Sequence, residues 1–250
     1  MESFVGLDLG SFNWKGVLIQ NRTLVRLFIK PAPRVPLFSE DKEAQEEIAK
    51  ALNNFIKEGK FGTKDVATAI PEFHSFTRLV TLPTNKPEEV KGIISHEAQP
   101  YIPIPIEDVT LAYEIIGPSD LEPGKLDVLL VAVPKNITQR YVDIFSYARL
   151  NLLSLETETI AVSRVFREIF LDPTMLVSIG ASTTDISIFK DGKIHFTRSI
   201  PTGGESLARA VMQEFGLDLT QAQSFLHTYG LEEKQLEGKV TKAIKPVFDL

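Results

Sequence analysis

The sequence contains no cysteine, which excludes a disulfide framework, a thiolate metal site and a cysteine nucleophile, and suits a reducing cytosol. Histidine is scarce. His74, His96, His195 and His227 stand far apart with no pair at ligand spacing, so they read as surface or satisfied residues rather than metal ligands. Positive charge is not in excess either. A formal net charge of −6 gathers no phosphate backbones, so nucleic acid is not an expected partner. Long apolar runs are also missing. "VLLVAV" is too short to span a bilayer, and Glu2 and Asp8 interrupt the N-terminus where a signal peptide needs positive charge and then an apolar stretch. The expectation is a soluble chain, with no direct membrane insertion, that can still dock on a membrane protein.

What is present suffices for folded cores. With 250 residues, 43% of them hydrophobic, the chain can form one large domain or two smaller ones. Residues 3–9, 13–20 and 23–29 read as a three-stranded meander with turns at "GSFN" and "QNR". After "PAPRVP", the segment "SEDKEAQEEIAKALNNFIKEG" predicts a helix with Ser39 as N-cap and Ile48, Leu52, Phe55 and Ile56 on one face. "VATAIP" follows as a strand. Between about residues 76 and 154 the pattern becomes strand, helix, strand, strand, helix, with Val90, Ile93, Ile94 and Ala98 on the first helix and Ile137, Tyr141, Ile144, Phe145 and Ala148 on the second. This reads as an inserted α/β unit. "ETETIAVSRVFREIF" then predicts a further helix.

The opening plan returns in "LVSIGASTTDISIFKDGKIHFTRSI". At a constant offset of 170, Asp8 falls on Ser178, Leu9 on Ile179, Gly10 on Gly180 and Lys15 on Asp185. One long repeat implies two similar halves rather than a solenoid. Each half has a glycine turn at the end of its first strand. The turns are either ligand-free hairpins or, facing one cleft, a paired seat of backbone N–H groups for phosphate. A carboxylate at Asp8, inside a strand expected to be apolar, calls for a compensating partner, and magnesium is a natural one.

The segments "GLDLGSFNWKGV", "EAQPYIPIPIEDVTLAYEII", "VLLVAVPKNI", "IGASTTDISIF", "RSIPTGGESLARAV" and "AIKPVFDL" together resemble the actin-like ATPase superfamily. Within it they are similar to the PilM family of type IV pilus assembly, along essentially the whole chain, with the FtsA cell-division proteins as cousins. The resemblance implies an actin-like, ribonuclease H-like α/β fold of two lobes. Residues 1–75 form the first lobe, 76–154 an inserted subdomain, 155–174 a return helix and 175–250 a partial second lobe. It further implies ATP and Mg2+ as cofactors. Asp8, Gly10, Ser11, Asn13 and Lys15 form the first phosphate turn, with Asp8 near the metal. Gly180, Ser182, Thr183 and Thr184 form the second. Gly203 and Gly204 open a helix, capped by Thr202, that can approach ribose and phosphate closely.

The sequence departs from the family pattern in three places. Ser178 stands where an aspartate usually begins the second turn, which puts hydrolysis in doubt; no catalytic residue is assigned. Gln223 and Leu226 replace an acid and a lysine near the nucleotide. "KVTKAIKPVFDL" ends the chain in helical spacing without a cap, where the family continues, so the second lobe is expected to be incomplete with an open sheet edge.

Two function classes follow from the resemblance. One is a cytosolic platform, peripheral to the inner membrane, that binds the N-terminal tail of a membrane-anchored PilN-like protein and allows a homo-oligomer. The other is a working ATPase or an FtsA-like membrane tether. No base suits a kinase, and the platform is favoured. For the partner, "QPYIPIPIEDV" either lines an apolar groove with Ile102, Ile104 and Ile106 or packs them inward.

Overall fold

Strict alternation builds the first sheet. In β1 (Ser3–Leu9), Val5, Leu7 and Leu9 turn to one face and are buried, while Asp8 falls on the other. The computed structural model describes residues 3–39, 41–169 and 171–249. Glu2, which entered the N-terminal reading, and Glu40, Phe170 and Leu250 of the predicted helical segments lie outside them.

β1 pairs antiparallel with β2 (Asn13–Gln20), and β2 with β3 (Thr23–Pro31). Helix α1 (Lys42–Glu58) precedes β4 (Asp65–Ile70), which runs parallel to β1. The helix is capped by Asp41, whose carboxylate accepts from Glu43 N and Ala44 N. This corrects the assignment of Ser39, whose hydroxyl instead accepts from Asp41 N, two residues further on.

The inserted segment forms its own antiparallel sheet. β5 (Phe76–Leu82), helix α2 (Pro87–Ala98), β6 (Val109–Pro118) and β7 (Leu126–Pro134) assemble in the order β5-β7-β6. The central strand β7 is apolar on both faces. Val128, Leu130 and Ala132 meet Val90, Ile94 and Ala98 of α2, whereas Val131 and Val133 join the core of the first sheet. Helix α3 (Lys135–Tyr147) packs Tyr141, Ile144 and Phe145 into that same core, and β8 (Asn151–Thr157) completes the sheet as β3-β2-β1-β4-β8. Its partner is β4, with Asp65 opposite Asn151 and Ile70 opposite Thr157. Helix α4 (Glu158–Phe166) follows directly.

The meander then recurs as β9 (Thr174–Ile179), β10 (Thr184–Lys190) and β11 (Lys193–Ile200), in the order β11-β10-β9. Its hairpin turns match too. Asn21 and Arg22 have φ of 49° and 63°, and 170 residues on Asp191 and Gly192 have 53° and 69°, the pair of positive values that a type I′ hairpin requires. Burial is not repeated. Met175, Val177 and Ile179, the counterparts of Val5, Leu7 and Leu9, are exposed, and among the described residues β9 pairs with β10 alone.

The chain divides into two compact units. The first comprises residues 1–176 and 186–198, the second 177–185 and 199–250. In the first unit, Phe189 and Ile194 bury against Ile116 and Leu129 of the inserted sheet. In the second, helices α5 (Gly204–Phe215), α6 (Leu219–Tyr229) and α7 (Lys239–Phe248) pack on Val211, Ala222, Val240 and Ile244.

Candidate functional site

The register of β1 and β2 places Asp8 opposite Lys15, and the Lys15 ammonium donates to Asp8 Oδ2 at 2.7 Å, with the Asp8 side chain 45% and the Lys15 side chain 52% exposed. Asp8 is therefore not a carboxylate stranded in an apolar strand, as the sequence suggested. Strand alternation carries it to the other face, where Lys15 compensates it. Its second oxygen, Oδ1, lies beside Gly10: a Cβ there would sit 3.4 Å from it and 3.0 Å from the Asn13 carbonyl oxygen. Ser11 is exposed at the tip of this turn and Asn13 half-buried at the start of β2.

The second turn has the same backbone build. Gly180 N donates to Thr183 O at 2.8 Å, and a Cβ on Gly180 would lie 3.2 Å from that oxygen. The surrounding bonds differ from expectation. Gly204 N donates to Gly180 O and Glu205 N to Ala181 O, both at 2.9 Å. Two donors of the first turn of α5 thus bind the loop instead of facing outward. A Cβ on Gly203 would meet Gly180 O at 2.6 Å and Ala181 O at 2.7 Å, so this glycine permits a close backbone contact. Gly203, not Thr202, is the N-cap. The Thr184 hydroxyl, expected at phosphate, donates to Thr202 O at 2.7 Å. Ser182, Thr183 and the exposed Ser178 form the rest of this segment.

Sequence reasoning gave no functional role to two residues of the first unit. Glu158 opens α4 at the end of β8, and Tyr141 lies almost wholly buried in the core of the first sheet. Burial, with Glu158 and then Asp8 adding negative potential, holds the Tyr141 hydroxyl far above its ordinary pKa. Among the described residues no three His, Cys, Asp or Glu side chains gather as a metal centre; a magnesium ion carried by phosphates and waters needs only one or two protein carboxylates, and the half-exposed Asp8 is one such carboxylate.

A concavity lies within the first unit, beside the start of β5, the end of β7 and the first turn of α3. It is a groove of about 580 Å³ lined by Phe73, His74, Phe76, Ile104, Pro105 and Ile137, with Asp108, Lys135 and Asn136 as polar members. Phe73 is half exposed. His74 stacks on Phe38 with ring centroids 4.1 Å apart, and burial lowers its pKa. The isoleucines of the proline-rich segment divide: Ile102 is buried in the inserted core, and Ile104 lines the groove while also packing on that core.

The parallel β1, β4 and β8 flanked by an antiparallel meander, the repeated glycine turn and the inserted subdomain define an actin-like α/β fold. The sequence model of type IV pilus assembly protein PilM matches residues 6–238, and the chain belongs to that family. Among solved structures, a PilM-PilN type IV pilus biogenesis complex is similar at TM-score 0.82 and 23% identity, covering 98% of this chain and 73% of that one. Ethanolamine utilization protein EutJ from Carboxydothermus hydrogenoformans gives TM-score 0.56 at 18% identity, over 100% and 68% of the respective chains. The curated EutJ of Escherichia coli (strain K12) is 28% identical over 108 residues; the match takes in 40% of this chain and spans 36% of that protein. Among the described residues no helix is long and apolar enough to cross a membrane.

Proposed function

We propose that this chain is a nucleotide-binding platform of type IV pilus assembly, in the cytosol beside the inner membrane, that holds the N-terminal tail of a PilN-like membrane protein. The groove carries this reading. It combines an exposed Phe73 and half-buried aromatic and aliphatic walls with a few polar groups, a composition that suits an extended apolar peptide. The family supports it, as does the similar complex in which a PilM is joined to a PilN.

ATP with magnesium is the proposed ligand of the first turn, supplying phosphate oxygens and a divalent charge when bound. Asp8 would help to hold the hydrated ion, Lys15 would supply positive charge for the phosphates, and Gly10, Ser11 and Asn13 would shape the turn around them. In the second unit Gly180, Ser182 and Thr183 offer a second backbone turn; Thr184, Gly203 and Gly204 brace it. Weak or absent turnover goes with this reading, because Ser178 stands where the family usually carries an aspartate.

Titration calorimetry with a peptide copying the partner's cytosolic tail is the test. Saturable binding that weakens at least tenfold in Phe73→Ala is expected. A folded sample that takes up no peptide overturns the platform reading.

A further inference from the structure

The first sheet ends in a strand that sorts its side chains by chemistry. β3 is the edge of that sheet and pairs, among the described residues, with β2 alone. Ala32 N donates to Phe12 O at 2.9 Å, one residue past the Asn13–Pro31 pair of the register. Bonded pairs alternate along an antiparallel ladder, so Arg26, Phe28 and Lys30 bond β2 through their backbone groups. Leu27 and Ile29 turn theirs to the open edge. Arg26 and Lys30 stand opposite the buried Leu18 and Trp14, on the core-side face. Leu24, Leu27 and Ile29 stand opposite Ile19, Val17 and Lys15 on the other face, and are 59%, 58% and 51% exposed. Charge is one-sided here as well. Residues 9–39 hold five bases and no acid, in a chain of net charge −6. Lys30 is paired with Glu58 at 2.8 Å. Arg26 is exposed, as are Arg22 before the strand and Arg34 after it, and none of the three has an ion pair or side-chain hydrogen bond among the described residues.

We propose that the β3 edge docks an extended segment of a partner protein in which acidic and apolar residues alternate, added to the sheet as one more strand. Such a segment has the strand period of two. Its acids therefore fall beside Arg26 on one face, and its apolar side chains beside Leu27 and Ile29 on the other. A bilayer suits this edge less, because it leaves the backbone groups of Leu27 and Ile29 unbonded and meets a single plane, whereas bases and apolar side chains here occupy opposite faces. A second copy of β3 would bring bases with no acid to match them. The register shift beside Leu18 and the missing N–H of Pro31 confine the pairing to the stretch between them. No residue of β3 lines the groove, so this is a separate docking surface that does not depend on the tail-peptide reading.

The test is fluorescence anisotropy of the full chain with a short labelled peptide of alternating glutamate and valine. Saturable binding is expected, weakened at least tenfold by Arg26→Glu and unchanged by Phe73→Ala in the groove. Methylating one alternate set of the peptide's amide nitrogens should abolish binding while methylating the other spares it, because only one set faces β3. A lysine–valine peptide should not bind. A folded protein that ignores the glutamate peptide overturns the proposal, and so does binding that survives Arg26→Glu or responds alike to both methylations. Loss of binding in Phe73→Ala overturns it too, since the peptide would then occupy the groove. Should Arg26→Glu lower the thermal midpoint, Arg22→Glu and the methylated peptides carry the same decision. Sedimentation with vesicles of phosphatidylcholine and phosphatidylglycerol, by a protein that takes up no peptide, would assign the edge to lipid instead.

Discussion

Lys15 and Asp8 satisfy one another across the β1–β2 ladder at 2.7 Å, so the first glycine turn rests as a closed ion pair rather than as an open anion seat. Such half-exposed pairs contribute at most about 1 kcal/mol to stability. Asp8→Ala and Lys15→Ala should therefore unfold within a few degrees of the unaltered protein, while each abolishes magnesium-dependent nucleotide binding. Differential scanning fluorimetry beside fluorescent-nucleotide titration separates the two effects. A collapse of the melting midpoint in either variant would make the pair structural.

Adjacent glycines should respond oppositely to alanine. Gly203→Ala drives a Cβ to within 2.6 Å of a backbone oxygen, whereas at Gly204 the nearest atom is 3.7 Å away. The first substitution should cost the second unit about 1–3 kcal/mol. The second sits at the first position of α5 and should be neutral or slightly stabilising. Urea unfolding followed by amide exchange in α5 reports both, and equal costs would refute the clamp.

Ile102 and Ile104 offer a similar contrast. Ile102 is 5% exposed in the inserted core, so Ile102→Asp buries an unpaired charge and should unfold that subdomain. Ile104→Asp places its charge at the groove wall and should spare most of the fold while weakening the tail peptide at least tenfold. Circular dichroism and calorimetry on the two variants decide it; a folded Ile102→Asp that binds normally would contradict the core assignment.

Acid should loosen the groove through His74. Burial holds its folded pKa below the ordinary histidine value, so the unfolded chain binds the proton more readily. The stability this supplies is complete above about pH 6.5 and is lost as pH falls toward the folded value. Melting midpoints between pH 7.5 and 5 should drop less in His74→Phe than in the unaltered chain. Parallel curves would remove His74 from the account.

The sequence showed most of the framework because the framework is local. Period-two alternation and the "QNR" and "KDGK" turns placed both meanders, and the 170-residue offset survives in the hairpin φ values and in the two glycine-to-carbonyl contacts. What it concealed depends on chain segments distant from one another. That Gly204 N binds Gly180 O cannot be read from "PTGGES", which looks the same whether its donors face a ligand or a loop. Asp8 misled for a different reason: one carboxylate among apolar letters looked buried until its face and its partner Lys15 were known.

The long interruption between β4 and β8 imposes an order on folding. Asp65 and Asn151 are adjacent in the sheet but separated by the whole inserted subdomain, so closing that loop is among the slowest local steps available to the chain. As the polypeptide leaves the ribosome, β1 to β3 can pair at once through their short turns. β4 must then hold an unpaired edge until roughly another eighty residues have been synthesised, several seconds at ordinary elongation rates. During that interval the nascent first lobe is a natural client for a chaperone, and a pause in translation before β8 would prolong its vulnerability.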